Sequence, residues 1–430
     1  MKTFFFTLGC KVNQYETVIL KNLFLKQNFE IAESLKEADI FIINSCTVTS
    51  TTDRKINKII NRIKNLNKNS IIVLTGCSVQ AFPEKSKNLN NIDIVIGNSN
   101  KFEIIDLVKK FLKEKKKTVA IKDHYEKEKL TSFEIEKIFK KPRAFLKIQD
   151  GCNRFCTYCI IPKARGFLRS KPTDLIEKES IFFSQKGCCE IILVGINLSL
   201  YGKDLKNTTL MDAIKTVSLI KSVKRIRLSS LEPNILTKND LIYLSEEEKF
   251  CPHFHFSLQS GCDKTLKNMG RHYDKKAYME TVDFIFKKFK NPAITTDIIV
   301  GFPGETKEDF EESLNFIKEI EFSKVHVFPY SKRNGTKAAI MPNQIPKEEK
   351  KARAREMIEI AKETTKKFLK SQKDKILSVL FETKKEDILN GYSKNYILVK
   401  TKSKENLQGE IKNVLIKEVK DGFVVGELIN

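Results

Sequence analysis

Residues 150–161 read DGCNRFCTYCII and place Cys152, Cys156 and Cys159 in one short loop. The loop follows AFLKIQ, residues 144–149, an apolar run of strand length, so the three thiols are expected just past the end of a β-strand. Five further runs follow downstream: EIILVGIN (190–197), RIRLSSLEP (225–233), HFHFSLQSG (253–261), ITTDIIVGFPGE (294–305) and KVHVFPYS (324–331). Helical segments such as KKAYMETVDFIFKKF (275–289) separate them. Six strands in this alternation predict an open, partial (β/α)6 barrel of the TIM type, with its chemistry at the strands' carboxyl ends.

Upstream, short apolar runs again alternate with helical periodicity. KTFFFTLG (2–9) precedes TVILKNLFLKQN, ADIFIINS (38–45) precedes a helix from about Asp53, and NIDIVIGN (91–98) precedes FEIIDLVKKFL. SIIVLTG (70–76) precedes a polar stretch. The pattern predicts a parallel α/β sheet. Cys10, Cys46 and Cys77 close its first three strong strand runs, in FTLGC, INSCTV and LTGCSV. Strand carboxyl ends share one edge of a parallel sheet, so three residues distant in sequence are expected on one rim, where α/β folds bind ligands. Free cysteines are often simply buried. The repeated position argues for a shared role instead.

Residues 113–141, KEKKKTVAIKDHYEKEKLTSFEIEKIFKK, are charged and weakly periodic and read as a linker. After the long basic helix of residues 347–370, the runs SVLFET, YILVKTK, KNVLIKEV and GFVVGEL, with turn signals at Asn390-Gly391 and Asp421-Gly422, predict a small antiparallel β-barrel. The expected organisation is an N-terminal domain over 1–112, a linker over 113–140, the partial barrel over 141–370 and the small β-barrel over 371–430.

The chain has 430 residues, enough for two or three cores, and a formal charge of +24, from 78 Lys+Arg against 54 Asp+Glu. Such a balance points toward a polyanionic partner, nucleic acid foremost, although lysine is abundant throughout the chain. The N-terminal apolar run is too short for a signal peptide and no stretch approaches the ~18 apolar residues of a membrane span, so a cytoplasmic location without membrane contact is expected. In that reducing compartment ten cysteines read as metal ligands, catalytic groups or buried thiols, not disulfides.

Four cysteines close an iron–sulfur cluster or a structural zinc site. Only three stand together here. A four-iron cluster on three thiolates leaves one iron open to a substrate, and the spacing CxxxCxxC matches the radical S-adenosylmethionine (SAM) signature, in which SAM chelates that iron. Tyr158, before the last cysteine, fits the signature too. Zinc ligands usually come as paired CxxC or HxxxH, and for a zinc site completed by His253, His255 or Cys251 no matching pair is evident. Cys188, Cys189, Cys251 and Cys262 form no coherent set. At the ends of the barrel strands, Gly195, Asn197, Ser229, Glu232, Gln259 and Gly301 offer close backbone approach and directed hydrogen bonds to the amino group, ribose and adenine of SAM.

Nearly the whole chain, in the right order of domains, resembles the methylthiotransferases, a radical SAM family with an N-terminal three-cysteine domain, a central radical SAM domain and a C-terminal TRAM barrel. The resemblance is carried by GCKVNQYET (9–17), NSCTVTSTTDRK (44–55), FLKIQDGCNRFCTYCIIPKARG (145–166), RIRLSSLEP, LQSGCDKTLKNMGRHY (258–273), TTDIIVGFPGET (295–306), VHVFPYSKRNGT (325–336) and GYSKNYILVK (391–400). Within the family these stretches look most like the bacterial enzymes that methylthiolate threonylcarbamoyladenosine in tRNA.

The resemblance implies two [4Fe-4S] clusters, one on Cys152, Cys156 and Cys159 and an auxiliary one on Cys10, Cys46 and Cys77. In the family scheme one SAM methylates a sulfur held at the auxiliary cluster, a second yields the deoxyadenosyl radical, and methylthio passes to carbon-2 of the adenine beside the anticodon. The implied partners are a tRNA anticodon loop, a flavodoxin- or ferredoxin-type electron donor and an unidentified sulfur donor. Base extrusion from a single-stranded loop suits that chemistry. Arg54, Lys58 and Arg62, opposite the apolar face formed by Ile56, Ile59, Ile60 and Ile63, are expected phosphate contacts together with the TRAM barrel. The TRAM segment, with 11 Lys and 9 Asp+Glu, is only +2, whereas residues 51–70, with 6 Lys+Arg and 1 Asp, are +5.

Within the family, the rival substrates are isopentenyladenosine in tRNA and an aspartate of a ribosomal protein. Outside it, a two-cluster electron carrier would need both clusters closed by protein ligands, and six ligands split three and three do not provide that.

Overall fold

The structure is a computed structural model of the chain; it describes all residues except 49, 125–129, 131–140 and 430, and leaves the side chains of Ser50 and Thr51 undescribed. It divides into two compact units. One holds the N-terminal region together with Gln149–Lys171 and Ser331–Ala339. The other holds Pro172–Tyr330, everything from Ile340 onward, and the strand β7 (Arg143–Lys147).

The first unit is built on a six-stranded, all-parallel sheet in the order β2-β1-β3-β4-β5-β6, with β1 Lys2–Thr7, β2 Glu30–Ile31, β3 Ile40–Ser45, β4 Ile71–Gly76, β5 Ile94–Ile96 and β6 Thr118–Ala120. Both faces are covered, which is why β3 and β4 are apolar at nearly every position instead of alternating. Ile40, Ile42 and Val73 face a core completed by Leu20 and Phe24 of α1 (Lys11–Lys26). Phe41, Ile43 and Leu74 face the opposite core, where α2 (Ser50–Leu66) inserts Ile56, Ile60 and Ile63.

The linker expectation is corrected at its start. The helix Ile104–Glu114 runs past residue 112, and Thr118–Ala120 pair with Ile94–Ile96 as the sheet's edge. Three residues set among lysines are too few to show a period, and their stability comes from pairing. Most of the remaining expected linker lies outside the described residues.

Also in this unit, Gln149–Asp150 pair antiparallel with Arg169–Ser170 and pinch off the loop that carries Cys152, Cys156 and Cys159. The loop ends in a short helix, Ile161–Arg165. Ile160 and Ala164 pack with Cys77 and Ala81 of α3 (Cys77–Ala81) in one small apolar cluster.

The second unit contains the expected six parallel strands in chain order. β7 pairs with Glu190–Val194, which pairs with Arg225–Leu228; after one residue that strand resumes as Ser230–Leu231 and pairs with His253–Phe256, then Ala293–Val300, then Lys324–Pro329. The sheet stays open, as a partial barrel.

Beyond the helix Lys347–Lys370, five strands form a closed barrel, one more than the four apolar runs read from sequence. The addition is Ile388–Ser393, and it contains Asn390-Gly391, so that pair lies within a strand and not at a turn. Asp421-Gly422 does join two strands, Ile411–Lys420 and Phe423–Leu428. One pairing, Leu398–Lys402 with Phe423–Leu428, is parallel and the others are antiparallel. Buried arginines seat the barrel against the open sheet: Arg225 donates to the carbonyls of Tyr392 (3.0 Å) and Ser378 (2.8 Å), and Arg227 to that of Lys394 (2.9 Å).

Candidate cluster and cofactor sites

β1, β3 and β4 are neighbours in the sheet, so the segments that follow them emerge side by side. Cys10 lies three residues past β1, at the start of α1; Cys46 directly follows β3; Cys77 directly follows β4 and opens α3. The three thiols are within electrostatic reach. Burial, reinforced by the Cys77 and Cys10 sulfurs, pushes the Cys46 thiol up to about 11.

A local device sets this geometry. Gly9 and Gly76, immediately before Cys10 and Cys77, have φ of +102° and +104°, a region that favours glycine. A Cβ at Gly76 would stand 2.3 Å from the Ser45 carbonyl oxygen, and one at Gly9 would stand 2.7 Å from the Cys46 Cβ. Only glycine lets the chain turn that closely from strand end to thiol. The loop repeats the arrangement with Gly151 before Cys152, at φ +69°.

Cys152 is buried and Cys156 and Cys159 are half-buried, with the Cys159 amide donating to the Cys156 carbonyl at 2.9 Å. All six cysteines therefore belong to one compact unit, and all are free thiols. Among the described residues no three His, Cys, Asp or Glu converge tightly enough to hold a single ion. A four-iron cluster asks for something different, since each thiolate binds its own iron. An all-cysteine donor set with no histidine or carboxylate among the ligands suits iron and sulfide.

Beneath the strand-end cysteines lies a buried polar network. Arg165, 1% exposed, sends Nε to the Cys77 Sγ at 3.2 Å, Nη1 to Glu16 at 2.5 Å and to Asp150 at 3.2 Å, and Nη2 to Asn13. Burial opposes its charge, but Cys77, Glu16 and Asp150 outweigh that and hold the guanidinium well above its ordinary pKa. Lys101, 1% exposed, reaches the other Glu16 oxygen at 2.5 Å, and burial draws its pKa down against that carboxylate. Asn98 donates to Cys77 Sγ at 3.5 Å and to the Ala164 carbonyl at 2.9 Å. Sequence reasoning missed this network, although GCKVNQYET and KARG contain three of its members.

Of the expected SAM residues, Tyr158 is half-buried in the cysteine loop. The other six stand in the second unit, Ser229 in the one-residue break between Arg225–Leu228 and Ser230–Leu231 and the rest past the carboxyl ends of their strands. Four interlock: Asn197 Nδ2 donates to Glu232 Oε1 at 3.1 Å, and the Gly195 amide donates to Ser229 Oγ at 3.4 Å. Ser199 accepts from the Glu232 amide at 2.7 Å, and Arg271 lies 3.8 Å from the same carboxylate. Gln259, with φ +71°, is pinned through its backbone to Asp297 and Ile299, each at 2.8 Å. Gly301 is apart from the four: its amide donates to Glu305, and a Cβ there would meet Lys350 Cγ at 2.2 Å, so its close approach is to that lysine.

Arg54, Lys58 and Arg62 are exposed on α2 while Ile56, Ile60 and Ile63 are buried, as the helical period requires. In the second unit a groove of about 800 Å³ runs between the helix Lys347–Lys370 and the turn at Asp421-Gly422, lined by Lys324, Lys366, Lys370 and Lys420. Among the described residues no helix is long and apolar enough to cross a membrane. Cys188, Cys251 and Cys262 are buried, and the described histidines join no metal-binding group.

The chain is similar to known families and proteins along most of its length. The family model of the radical SAM superfamily matches residues 146–317, and one described as an uncharacterized protein family, UPF0004, matches residues 2–97. The chain is 37% identical over 416 residues to the threonylcarbamoyladenosine tRNA methylthiotransferase MtaB of Aquifex aeolicus, spanning 97% of this chain and 100% of that one. It is 35% identical to the MtaB of Bacillus subtilis, spanning 98% and 95%. It is 36% identical to a tRNA-2-methylthio-N(6)-dimethylallyladenosine synthase of Clostridium botulinum, spanning 98% and 96%. Among solved structures, the radical SAM methyltransferase TsrM of Kitasatospora setae superposes with a TM-score of 0.56 at 11% identity, covering 79% of this chain and 77% of that one. The cobalamin-dependent SAM radical enzyme OxsB gives 0.51 at 14% identity, covering 83% and 56%. At such identities these two show a shared fold.

Proposed function

The chain belongs to the methylthiotransferase family of radical SAM enzymes, and on that premise we propose that it methylthiolates carbon-2 of threonylcarbamoyladenosine beside the tRNA anticodon. It is a transferase that uses SAM and [4Fe-4S] clusters. The observation that carries the reading is the placement of all six cysteines in one unit, three on a loop and three on adjacent strand ends. When bound, the clusters and SAM supply the one-electron and sulfur-carrying chemistry that no side chain has.

The chain's own residues do the holding. In this proposal Cys152, Cys156 and Cys159 hold the SAM-binding cluster with one iron open, and Cys10, Cys46 and Cys77 hold the auxiliary one. The fit rests on the thiol-only donor sets and on the glycines that aim Cys10, Cys77 and Cys152. Glu232, Asn197, Ser229, Gly195 and Gln259 orient SAM; Glu232 is a natural acceptor for its amino group because Asn197 already fixes the carboxylate. Tyr158 is a further cofactor contact, and Gly301, whose close approach is to Lys350, is left out of the set. Arg54, Lys58 and Arg62 contact phosphates of the anticodon arm. A flavodoxin- or ferredoxin-type protein supplies electrons, and the work takes place in the cytoplasm.

The 36% identity to dimethylallyladenosine synthases keeps isopentenyladenosine as the second reading of the substrate. Nucleoside analysis of tRNA carrying either modification, incubated with the reconstituted enzyme, SAM and reductant, separates the two. For the cofactors, anaerobically reconstituted wild type should hold about eight irons per chain, and each triple Cys→Ala variant about four. Replacing Cys10, Cys46 and Cys77 should leave SAM cleavage intact and abolish methylthiolation. Zinc in place of iron, or methylthio product from that variant, would overturn the proposal.

A further inference from the structure

Two N–H donors converge on one sulfur: Arg165 Nε at 3.2 Å and Asn98 Nδ2 at 3.5 Å, both aimed at Cys77 Sγ. A sulfur that accepts two hydrogen bonds, one of them from a guanidinium, is held in one orientation with a positive charge beside it. Arg165, Arg169 and Lys101 are buried, and the carboxylates of Glu16 and Asp150 lie among them. If the guanidinium served only as a packed ion pair, those two carboxylates would be its natural partners for every donor. Instead Nη1 and Nη2 engage them and Asn13, and Nε turns to the sulfur.

We infer that Arg165 is a positioning residue for the auxiliary cluster: it orients the Cys77 ligand by hydrogen bond and places a buried positive charge beside it that raises the cluster's reduction potential. The physical reason is that reduction adds negative charge to an already anionic cluster, and net charge and hydrogen bonds to the ligand sulfurs set such potentials. The residue sits six positions after Cys159, in the helix that closes the other cysteine loop, and Ile160 and Ala164 pack that helix on Cys77 and Ala81. One rigid segment thus serves both cysteine sets. The inference rests on assigning Cys10, Cys46 and Cys77 to the auxiliary cluster.

The test uses the full chain with Cys152, Cys156 and Cys159 replaced by Ala, which leaves one cluster to observe. Redox titration followed by electron paramagnetic resonance compares this background with added Arg165→Gln, Arg165→Lys and Glu16→Gln. With about four irons retained, Arg165→Gln should move the midpoint to more negative potential. Arg165→Lys should move it less, since it keeps the charge and loses the fork. Glu16→Gln should move it the opposite way, because it removes the anion that offsets Arg165. An iron-loaded protein whose midpoint ignores both the Arg165→Gln and the Glu16→Gln change overturns the inference alone. Should Arg165→Gln fail to hold iron, the Glu16→Gln shift decides: positive supports the inference, and null or negative overturns it. A background protein that binds no iron overturns the inference together with the cysteine assignment beneath it.

Discussion

Glu190 Oε1 and Arg227 Nε lie 2.7 Å apart with both side chains wholly buried. Glu190 opens the strand Glu190–Val194, and Arg227 lies in the adjacent strand beside Arg225. Burial alone would raise the Glu190 carboxyl, but the guanidiniums of Arg227, Arg143 and Arg225 prevail and hold it below its ordinary 4.5. A depressed carboxyl contributes stability that is present above the unfolded-state pKa and lost as pH falls through the folded one.

Glu190→Gln should therefore destabilise the second unit by about 3–5 kcal/mol near pH 7, because it strands buried guanidiniums. The gap to wild type should narrow below about pH 4.5, where the wild type loses what the variant never had. Urea titrations across that range check both the size and the direction, and a gap constant with pH would refute the account.

Arg333 Nη2 donates to Thr47 at 2.8 Å, and Nη1 lies 3.3 Å from Asp53; the guanidinium also rests on the Phe82 ring, 4.7 Å from its centre. Thr47 directly follows Cys46. Arg333→Met should cost about 1–3 kcal/mol, the low side for a buried cation because Asp53 keeps Lys85 as a partner. It should also reduce iron retention in a variant that lacks the other cysteine set. Thermal melts and iron assays measure the two effects separately.

Neutralising Arg54, Lys58 and Arg62 with Gln should raise KM for tRNA and leave kcat and tRNA-independent SAM cleavage unchanged. If all three contact phosphates, the slope of log affinity against log salt should shrink by about 2–3. An unchanged slope would move the RNA surface elsewhere, with the lysine-lined groove beside the C-terminal barrel as the next region to substitute.

Gly391 faces the strand Ile376–Lys385 where its register shifts, and a Cβ there would stand 2.4 Å from the Leu380 carbonyl oxygen. Gly391→Val should destabilise the barrel by about 1–3 kcal/mol through overpacking. Limited proteolysis should then cut first within residues 376–428. Wild-type resistance in the variant would contradict this packing.

Much of the architecture was legible because strands covered on both faces write themselves as continuous apolar runs. IFIIN and IIVLT could hardly be anything else, and the cysteine closing each such run marked a common edge before any pairing was known. The edge strand Thr118–Ala120 and the barrel strand Ile388–Ser393 escaped notice. One is too short to carry a period, and the other contains an Asn-Gly pair that in isolation signals a turn.

The sequence alone set out the CxxxCxxC spacing, the three strand-end thiols and the run of strands and helices, since thiol spacing and hydrophobic period are local properties of the chain. Tertiary structure decided how those thiols are supported. Nothing local marks Glu16, Lys101, Asp150 and Arg165 as buried, because a hydrophobic pattern assigns charged residues to the surface. They are buried together because partners as much as 149 residues apart satisfy one another, and pairing at that distance leaves no trace in local spacing.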